Sequence, residues 1–262
     1  MGTANHQELP QLTFGSLFAG IGGMDLGLER AGMECRWQVE FDAFCQRILE
    51  KRWPKVKRYG DVTGVHGSEL ERVNGIAAGF PCQDVSQAGK QAGIEGSRTS
   101  LYREALRLYR YLRPDWLLLE NVTGLLDGGI GRVLGDLAEI GCDAEWDCYR
   151  TSDFGSPSVR ERVFILAYPA SCRLEGNILQ VLQRPHGGPP EALDAWNRSG
   201  SPFREWRKLL AESRVIRVAG GFAKRVDRPK QRLRVIGNVV SPVVAEWIGR
   251  QIVSGFRCAQ PQ

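Results

Sequence analysis

The chain has seven cysteines, an odd number, and no two of them are spaced as Cys-x-x-Cys. That argues against a zinc ribbon and against a disulfide framework. A reducing, cytosolic setting is expected. Most of these cysteines read as small buried apolar residues. No stretch approaches the ~18 consecutive apolar residues of a membrane span. The first ten residues are polar, so no signal peptide is expected, and residues 1–10 read as a loose tail. Internal repeats and long low-complexity segments are also missing. What is present is ordinary for a soluble globular protein, with 42% hydrophobic and 25% charged residues. A chain of 262 residues can bury a sizeable core, as one large domain or a large domain with a small appendage.

Charge is unevenly distributed. Residues 170–234 hold 14 Lys/Arg against 6 Asp/Glu, whereas residues 1–169 hold 19 against 23. A basic segment on a slightly acidic body reads as a phosphate-facing surface, or as a solvated basic loop.

Apolar runs alternate with helical patterns. Leu12–Phe18 reads as a strand, then Gly20-Ile21-Gly22-Gly23 and a helical stretch to about Ala31. Arg36–Val39 is a second strand ending at Glu40, and Phe41–Arg52 a helix. Ile76–Ala78 is a short strand running into Pro81-Cys82. Leu101, Tyr102, Ala105, Leu108, Tyr109 and Leu112 share one helical face, which Arg113-Pro114 ends. Trp116–Leu119 and Val163–Ala167 are further strands. This alternation predicts an α/β fold with a mostly parallel sheet. The pattern breaks after Tyr168-Pro169, and residues 170–229 look like a small irregular module. Order returns near Gln231. Ser241-Pro242 starts a helix whose apolar stripe, Val243, Val244, Trp247, Ile248 and Ile252, should pack back onto the first domain.

Five motifs carry chemistry. Glycines at a strand-to-helix turn, here Gly20, Gly22 and Gly23, let the backbone approach a ligand. Glu40, at the end of the next strand, is placed to accept hydrogen bonds from ribose hydroxyls, which would suit a nicotinamide dinucleotide equally well. Asp61 could accept from an adenine amino group, or simply be a turn residue. Pro81-Cys82-Gln83 follows an apolar strand, with Ser86, Gly89 and Gly93 behind it. Cysteine is a strong nucleophile once an electropositive setting or a base favours its thiolate. Glu120-Asn121-Val122 ends another strand, where burial would raise the carboxyl pKa. Phe154-Gly155-Ser156-Pro157-Ser158-Val159-Arg160-Glu161-Arg162 puts two guanidinium groups on one side of an extended segment. Arg234-Val235-Ile236-Gly237-Asn238-Val239-Val240-Ser241-Pro242 is the last.

In this order, over residues 13–169 and 231–256, these motifs resemble the DNA (cytosine-5) methyltransferase family. The resemblance implies a Rossmann-like S-adenosylmethionine-dependent methyltransferase fold with a small DNA-recognition domain. Its catalytic domain would be residues 1–169 and 230–262, and its target-recognition domain residues 170–229. The methyl donor would be S-adenosyl-L-methionine, leaving S-adenosyl-L-homocysteine, with no metal. Phe18, Gly20, Ile21, Gly22 and Gly23 would line the cofactor, Glu40 would hold its ribose and Phe41 would cover its adenine. Asp61, beside Val62, would read the adenine amino group. Pro81, Leu101, Asn238 and Val239 would complete the pocket. Cys82 would add to C6 of a flipped-out cytosine, Glu120 would support a proton on N3, and Arg160 and Arg162 would hold the base, a phosphate or the carboxylate. Gln83, Ser86 and Asn121 are candidate substrate contacts.

In the basic module, Arg198, Arg204, Arg207, Lys208, Arg214 and Arg217 are candidate DNA contacts, and Trp196 and Trp206 a mini-core. The implied partners are double-stranded DNA and a cognate restriction endonuclease, the implied state a monomer without membrane attachment. Two departures stand out: Ser158 where the family usually has Gln, and Ser16 where it usually has an acid. Three other readings share some of these residues: a catalytically silent DNA-binding relative, a transfer-RNA cytosine methyltransferase and a nicotinamide-linked oxidoreductase. RNA-acting members usually have proline where this chain has Phe80, and a Cys-Phe-Thr motif that is absent here.

Overall fold

Every residue of Trp116–Leu119 is apolar, a pattern that fits a strand covered on both faces. The computed structural model describes residues 11–81, 101–154, 160–171 and 239–255. In it this run opens β5 (Trp116–Val122), near the middle of a seven-stranded sheet. Before it come β1 (Thr13–Leu17), α1 (Gly23–Arg30), β2 (Glu34–Val39), α2 (Ala43–Arg52), β3 (Lys57–Tyr59), β4 (Gly75–Gly79) and α3 (Tyr102–Leu112). After it come α4 (Leu125–Gly128), α5 (Ile130–Glu139), β6 (Cys142–Arg150), β7 (Glu161–Pro169) and α6 (Pro242–Gly255). The strand order is β3-β2-β1-β4-β5-β7-β6. All neighbouring strands pair in parallel except β7, which runs antiparallel to both β5 and β6.

Alternate residues of each strand feed opposite cores. Leu117 and Leu119 face α3 and α5, packing with Tyr102, Leu108, Val133 and Leu137. Trp116 and Leu118 face the other layer, with Met24, Leu28, Val244 and Ile248. The last helix packs back onto the sheet as its stripe predicts, with Val244, Ile248 and Ile252 buried and Val243 and Trp247 at the margin. It lies so close to α1 that a Cβ on Gly27 would sit 2.5 Å from the Ala245 Cβ.

Boundaries follow local chemistry. Asp42 caps α2, accepting from Phe44 N and Cys45 N, so this helix starts at Ala43 rather than Phe41. Arg113, in the left-handed region at φ 50°, ends α3 just before Pro114. β3, α4, α5 and β6 are not among the elements expected from the sequence. No helix among the described residues is long and apolar enough to cross a membrane. Of the module expected over residues 170–229, all but residues 170 and 171 lies outside the described residues.

This topology has a switch point. The chain runs outward from β1 to β3, then returns to β4 on the other side of β1. The crevice at the carboxyl ends of β1 and β4 is where such sheets hold ligands. The reversed direction of β7 brings its first residues to that same edge, opposite the end of β5.

Candidate functional site

Among the described residues, a cavity of about 830 Å³ occupies that crevice. One end is built around the glycine turn. Phe18 and Gly20 take positive φ, 55° and 58°. For a phenylalanine this is an uncommon conformation, of the kind that collects at ligand sites. The turn is fastened to the next strand: Gly20 N donates to Glu40 Oε2 at 2.7 Å, and Ala19 N to the Val39 carbonyl at 3.2 Å. Glu40 Oε1 accepts from Asp42 N, also at 2.7 Å. Burial pushes the Glu40 pKa up, while the backbone donors at Asp42 and Gly20 pull against it. Each of its oxygens keeps a second acceptor site, so the carboxylate can still take a ligand hydroxyl.

Phe41 projects outward beside Glu40, 78% exposed although it is a large apolar ring, and it lines the cavity. Across from it, Asp61 caps a short turn over Val62–Gly64 through Oδ1, which accepts from Thr63 N and Thr63 Oγ1. The turn-residue reading of Asp61 therefore describes half of its carboxylate, and those bonds lower its pKa. Asp61, Val62 and Leu101 all reach the cavity wall.

Two expected cofactor residues stand one step back. Gly22, with φ 81°, has no room for a Cβ because the Trp53 ring would lie 2.3 Å away. Gly23 meets the Val240 carbonyl at 2.2 Å in the same sense. Their small size lets α1 sit close to its neighbours. Neither they nor Ile21 belong to the wall, which is continued by Leu17, Ala19 and Met24.

Glu120 defines the other end. It is 5% exposed, and burial pushes its pKa up to about 7, against the pull of Arg162 and, more weakly, Arg160. Arg162 Nε lies 3.2 Å from Glu120 Oε1. The two arginines both line the cavity, but they have different anchors. Arg160 Nη1 donates to the Val239 carbonyl, tying the start of β7 to the segment that leads into α6. Asn121 turns inward: its Nδ2 donates to the Phe80 carbonyl at 3.3 Å and its Oδ1 accepts from Val122 N at 2.8 Å. It braces the strand that delivers Pro81, itself part of the wall. Cys82, Gln83, Ser86, Asn238 and the basic residues Arg198, Arg204, Arg207, Lys208, Arg214 and Arg217 lie outside the described residues.

One buried acid at the site lies outside all five motifs. Asp25 in α1 accepts from Ser16 Oγ at 2.6 Å and from Gln38 Nε2 at 2.7 Å. Burial raises its pKa to about 6, with both hydrogen bonds opposing. Ser16 and Gln38 are register partners on β1 and β2, so Asp25 bridges the two strands that carry the glycine turn and Glu40. The available signal was a lone acid between Met24 and Leu26.

Comparison with known proteins identifies the family and the fold. The sequence model of the C-5 cytosine-specific DNA methylase family matches residues 12–190. Type II methyltransferase M2.BsuMI of Bacillus subtilis is 39% identical over 160 residues, 58% of this chain and 41% of that protein. Type II methyltransferase M.HhaI of Haemophilus parahaemolyticus is 32% identical over 166 residues, 62% of this chain and 50% of its own length. The chain thus spans half or less of these curated relatives. Among solved structures, the S. pombe Dnmt2 methyltransferase superposes with a TM-score of 0.64 at 16% identity, covering 93% of this chain and 99% of that one. The Entamoeba histolytica methyltransferase EhMeth gives the same TM-score and identity over 95% of this chain and 100% of its own. At such identity these two report the shared fold.

Proposed function

The chain belongs to the C-5 cytosine-specific DNA methylase family, and on that premise we propose that it transfers a methyl group from S-adenosyl-L-methionine to C5 of cytosine in double-stranded DNA. The observation that carries this reading is the layout of one cavity. A ribose-and-adenine end at Glu40, Phe41 and Asp61 is continuous with a buried carboxyl–guanidinium pair at Glu120 and Arg162.

The residues present fit the cofactor. Glu40 keeps acceptor capacity for ribose hydroxyls, and Phe41 offers an uncovered ring face to a purine. Asp61 Oδ2 makes no hydrogen bond among the described residues and is open to an adenine amino group. Pro81, Leu101, Val239 and, beyond the described residues, Asn238 would close the pocket. When bound, the cofactor supplies an electrophilic methyl group. Loss of that methyl leaves S-adenosyl-L-homocysteine.

The chain's own residues prepare the base. Cytosine C5 is a poor nucleophile inside a stacked duplex, so the base has to be flipped into the cavity. The Cys82 thiolate adds to C6 as Glu120 delivers its proton to N3, which leaves C5 electron-rich. A carboxyl with a pKa near 7 is suited to this exchange close to neutral pH. Arg162 steadies the carboxylate that forms, and Arg160 holds the neighbouring Val239 segment. After methylation a base removes the C5 proton, Cys82 leaves from C6, and N3 returns its proton to Glu120. Gln83 and Ser86 would support the flipped nucleotide. Residues 170–229 would form the target-recognition domain, with its arginines on phosphates or guanine edges. A monomer acting beside a cognate restriction endonuclease in the cytoplasm completes the proposal.

The test is expression in a host lacking cytosine methylation, with methylcytosine mapped on its DNA. Methylation at a consistent short sequence, absent in a folded Cys82→Ala variant, is the expected result. A soluble, cofactor-binding protein that leaves the DNA unmodified would return weight to a silent relative, or to an RNA substrate.

A further inference from the structure

The turn that presents Asp61 is gripped from a distance. Its amino end is capped by Asp61 itself, as described above. Its carbonyl end is held from α3, where Arg107 Nη2 donates to the carbonyl oxygens of Val62 at 3.1 Å and Val65 at 2.9 Å. The guanidinium is oriented in turn by Glu104, whose Oε2 accepts from Arg107 Nε at 2.7 Å. The described residues that line the cavity include Asp61, Val62 and Thr63 from this turn and Leu101 from the start of α3, but not Arg107.

Resting on the cofactor reading above, we propose that Arg107 is a positioning residue for adenine recognition. By fixing the Val62–Gly64 turn it sets where the open oxygen of Asp61 points. Purine selectivity at the cofactor site would then depend on a side chain that never reaches the cofactor.

The physical argument has three parts. Asp61 is exposed, so no packing of its own side chain fixes its direction, and the turn must do so. A planar guanidinium held at Nε presents Nη2 in a fixed direction, which a lysine ammonium would not reproduce. A hydrogen bond from an adenine amino group weakens steeply with distance and angle, so a small drift of the turn would remove most of it. The aliphatic anchors Val62 and Val65 are buried in the core. They keep the turn folded without orienting its polar face, so loss of Arg107 should loosen recognition more than stability.

The experiment is calorimetry on the purified full chain with two probes. One is S-adenosyl-L-homocysteine. The other is its inosine counterpart, in which an oxygen replaces the purine amino group. Wild type should prefer the adenine form. Arg107→Met should bind that form ~10-fold more weakly, the worth of about one well-placed hydrogen bond. Its affinity for the inosine form should be unchanged, and the KM for S-adenosyl-L-methionine should rise in parallel at constant kcat. Arg107→Lys should recover less than half of the lost preference. Glu104→Gln, which leaves Arg107 Nε a neutral and so weaker acceptor, should lose ~3-fold, and it carries the test if Arg107→Met does not fold. Equal weakening toward both probes, or a lowered Tm with the adenine preference intact, would make Arg107 merely structural and overturn the inference. A wild type that binds the adenine form without preferring it overturns it too. A wild type that binds neither probe removes the cofactor reading itself.

Discussion

At the scale of single residues, Glu120 carries the most chemistry and the clearest pH signature. Its carboxyl rises from an ordinary 4.5 to about 7 because it is buried. The folded chain therefore holds a proton that the unfolded chain has already released between those two values. Stability falls as pH climbs through this window, and above it the cost is fully present, up to about 3 kcal/mol. Glu120→Gln cannot titrate. Its stability relative to wild type should improve by up to that amount between pH 4.5 and pH 8 in urea denaturation, whatever the constant offset from leaving Arg162 without its partner. Catalysis should respond in the opposite sense. In the proposed mechanism the protonated carboxyl delivers the N3 proton, so the wild-type single-turnover rate should decline as pH rises past about 7. In Glu120→Gln the rate should be lower by ~10²–10⁴-fold, and that decline should vanish. A variant with unaltered pH dependence would detach Glu120 from the proton transfer.

At the scale of elements, the sheet, α1 and α6 form one packed unit, and the small residues between the two helices are where it is most sensitive. A side chain at Gly27 has nowhere to go, with the Pro242 carbonyl and the Ala245 Cβ each 2.5 Å from an added Cβ. Gly27→Val should cost about 1–3 kcal/mol by overpacking. Gly135 in α5 has nothing within 4 Å. Gly135→Ala should therefore gain about 0.5–1 kcal/mol by removing glycine's conformational entropy. Thermal or urea denaturation of both variants checks the contrast, and equal effects would refute this account of the α1–α6 contact. The same packing logic decides which elements are legible in the chain. The middle strands β1, β4 and β5 and the inner strand β7 are covered on both faces, so their residues read as apolar runs. The outer strand β6 pairs on one side only, and its Asp143, Glu145 and Asp147 break the run. In α5, Ile130, Val133, Leu134 and Leu137 recur at helical spacing and pack on the same core as α3, so its stripe is legible in the chain although no chemical motif draws attention to it. The site divides in the same way. Residues that act from a local motif, such as Gly20, Glu40 and Glu120, announce themselves by neighbours. Asp25 acts through partners 9 and 13 residues away and Arg107 through a carbonyl 45 residues away, and only the folded chain brings those together.

For the molecule as a whole, the distribution of charge limits where DNA can be gripped. Residues 1–169 carry more acid than base, whereas residues 170–234 hold 14 Lys/Arg against 6 Asp/Glu. The cavity adds to this asymmetry, since Asp25, Glu40, Asp42, Asp61 and Glu120 line it against Arg47, Arg160 and Arg162. An acidic body repels a phosphate backbone at long range, so under the proposed function affinity for duplex DNA should come from the basic segment. Each phosphate neutralised by a lysine or arginine releases counterions and adds about −0.9 to the slope of log K against log salt. If Arg198, Arg204, Arg207, Arg214 and Arg217 each meet one phosphate, the slope should be near −4.5. Affinity should then fall on the order of 10²–10³-fold between 50 and 200 mM salt. Arg204→Ala should flatten the slope by about 1 on every DNA sequence if it grips a phosphate. If it reads a guanine edge instead, it should leave the slope nearly intact and cost about 1–3 kcal/mol at one base position only. Fluorescence anisotropy with cognate and scrambled duplexes separates the two. A shallow slope in the wild type, unmoved by any of the five substitutions, would place the DNA grip on the acidic body and contradict the division of labour drawn from charge.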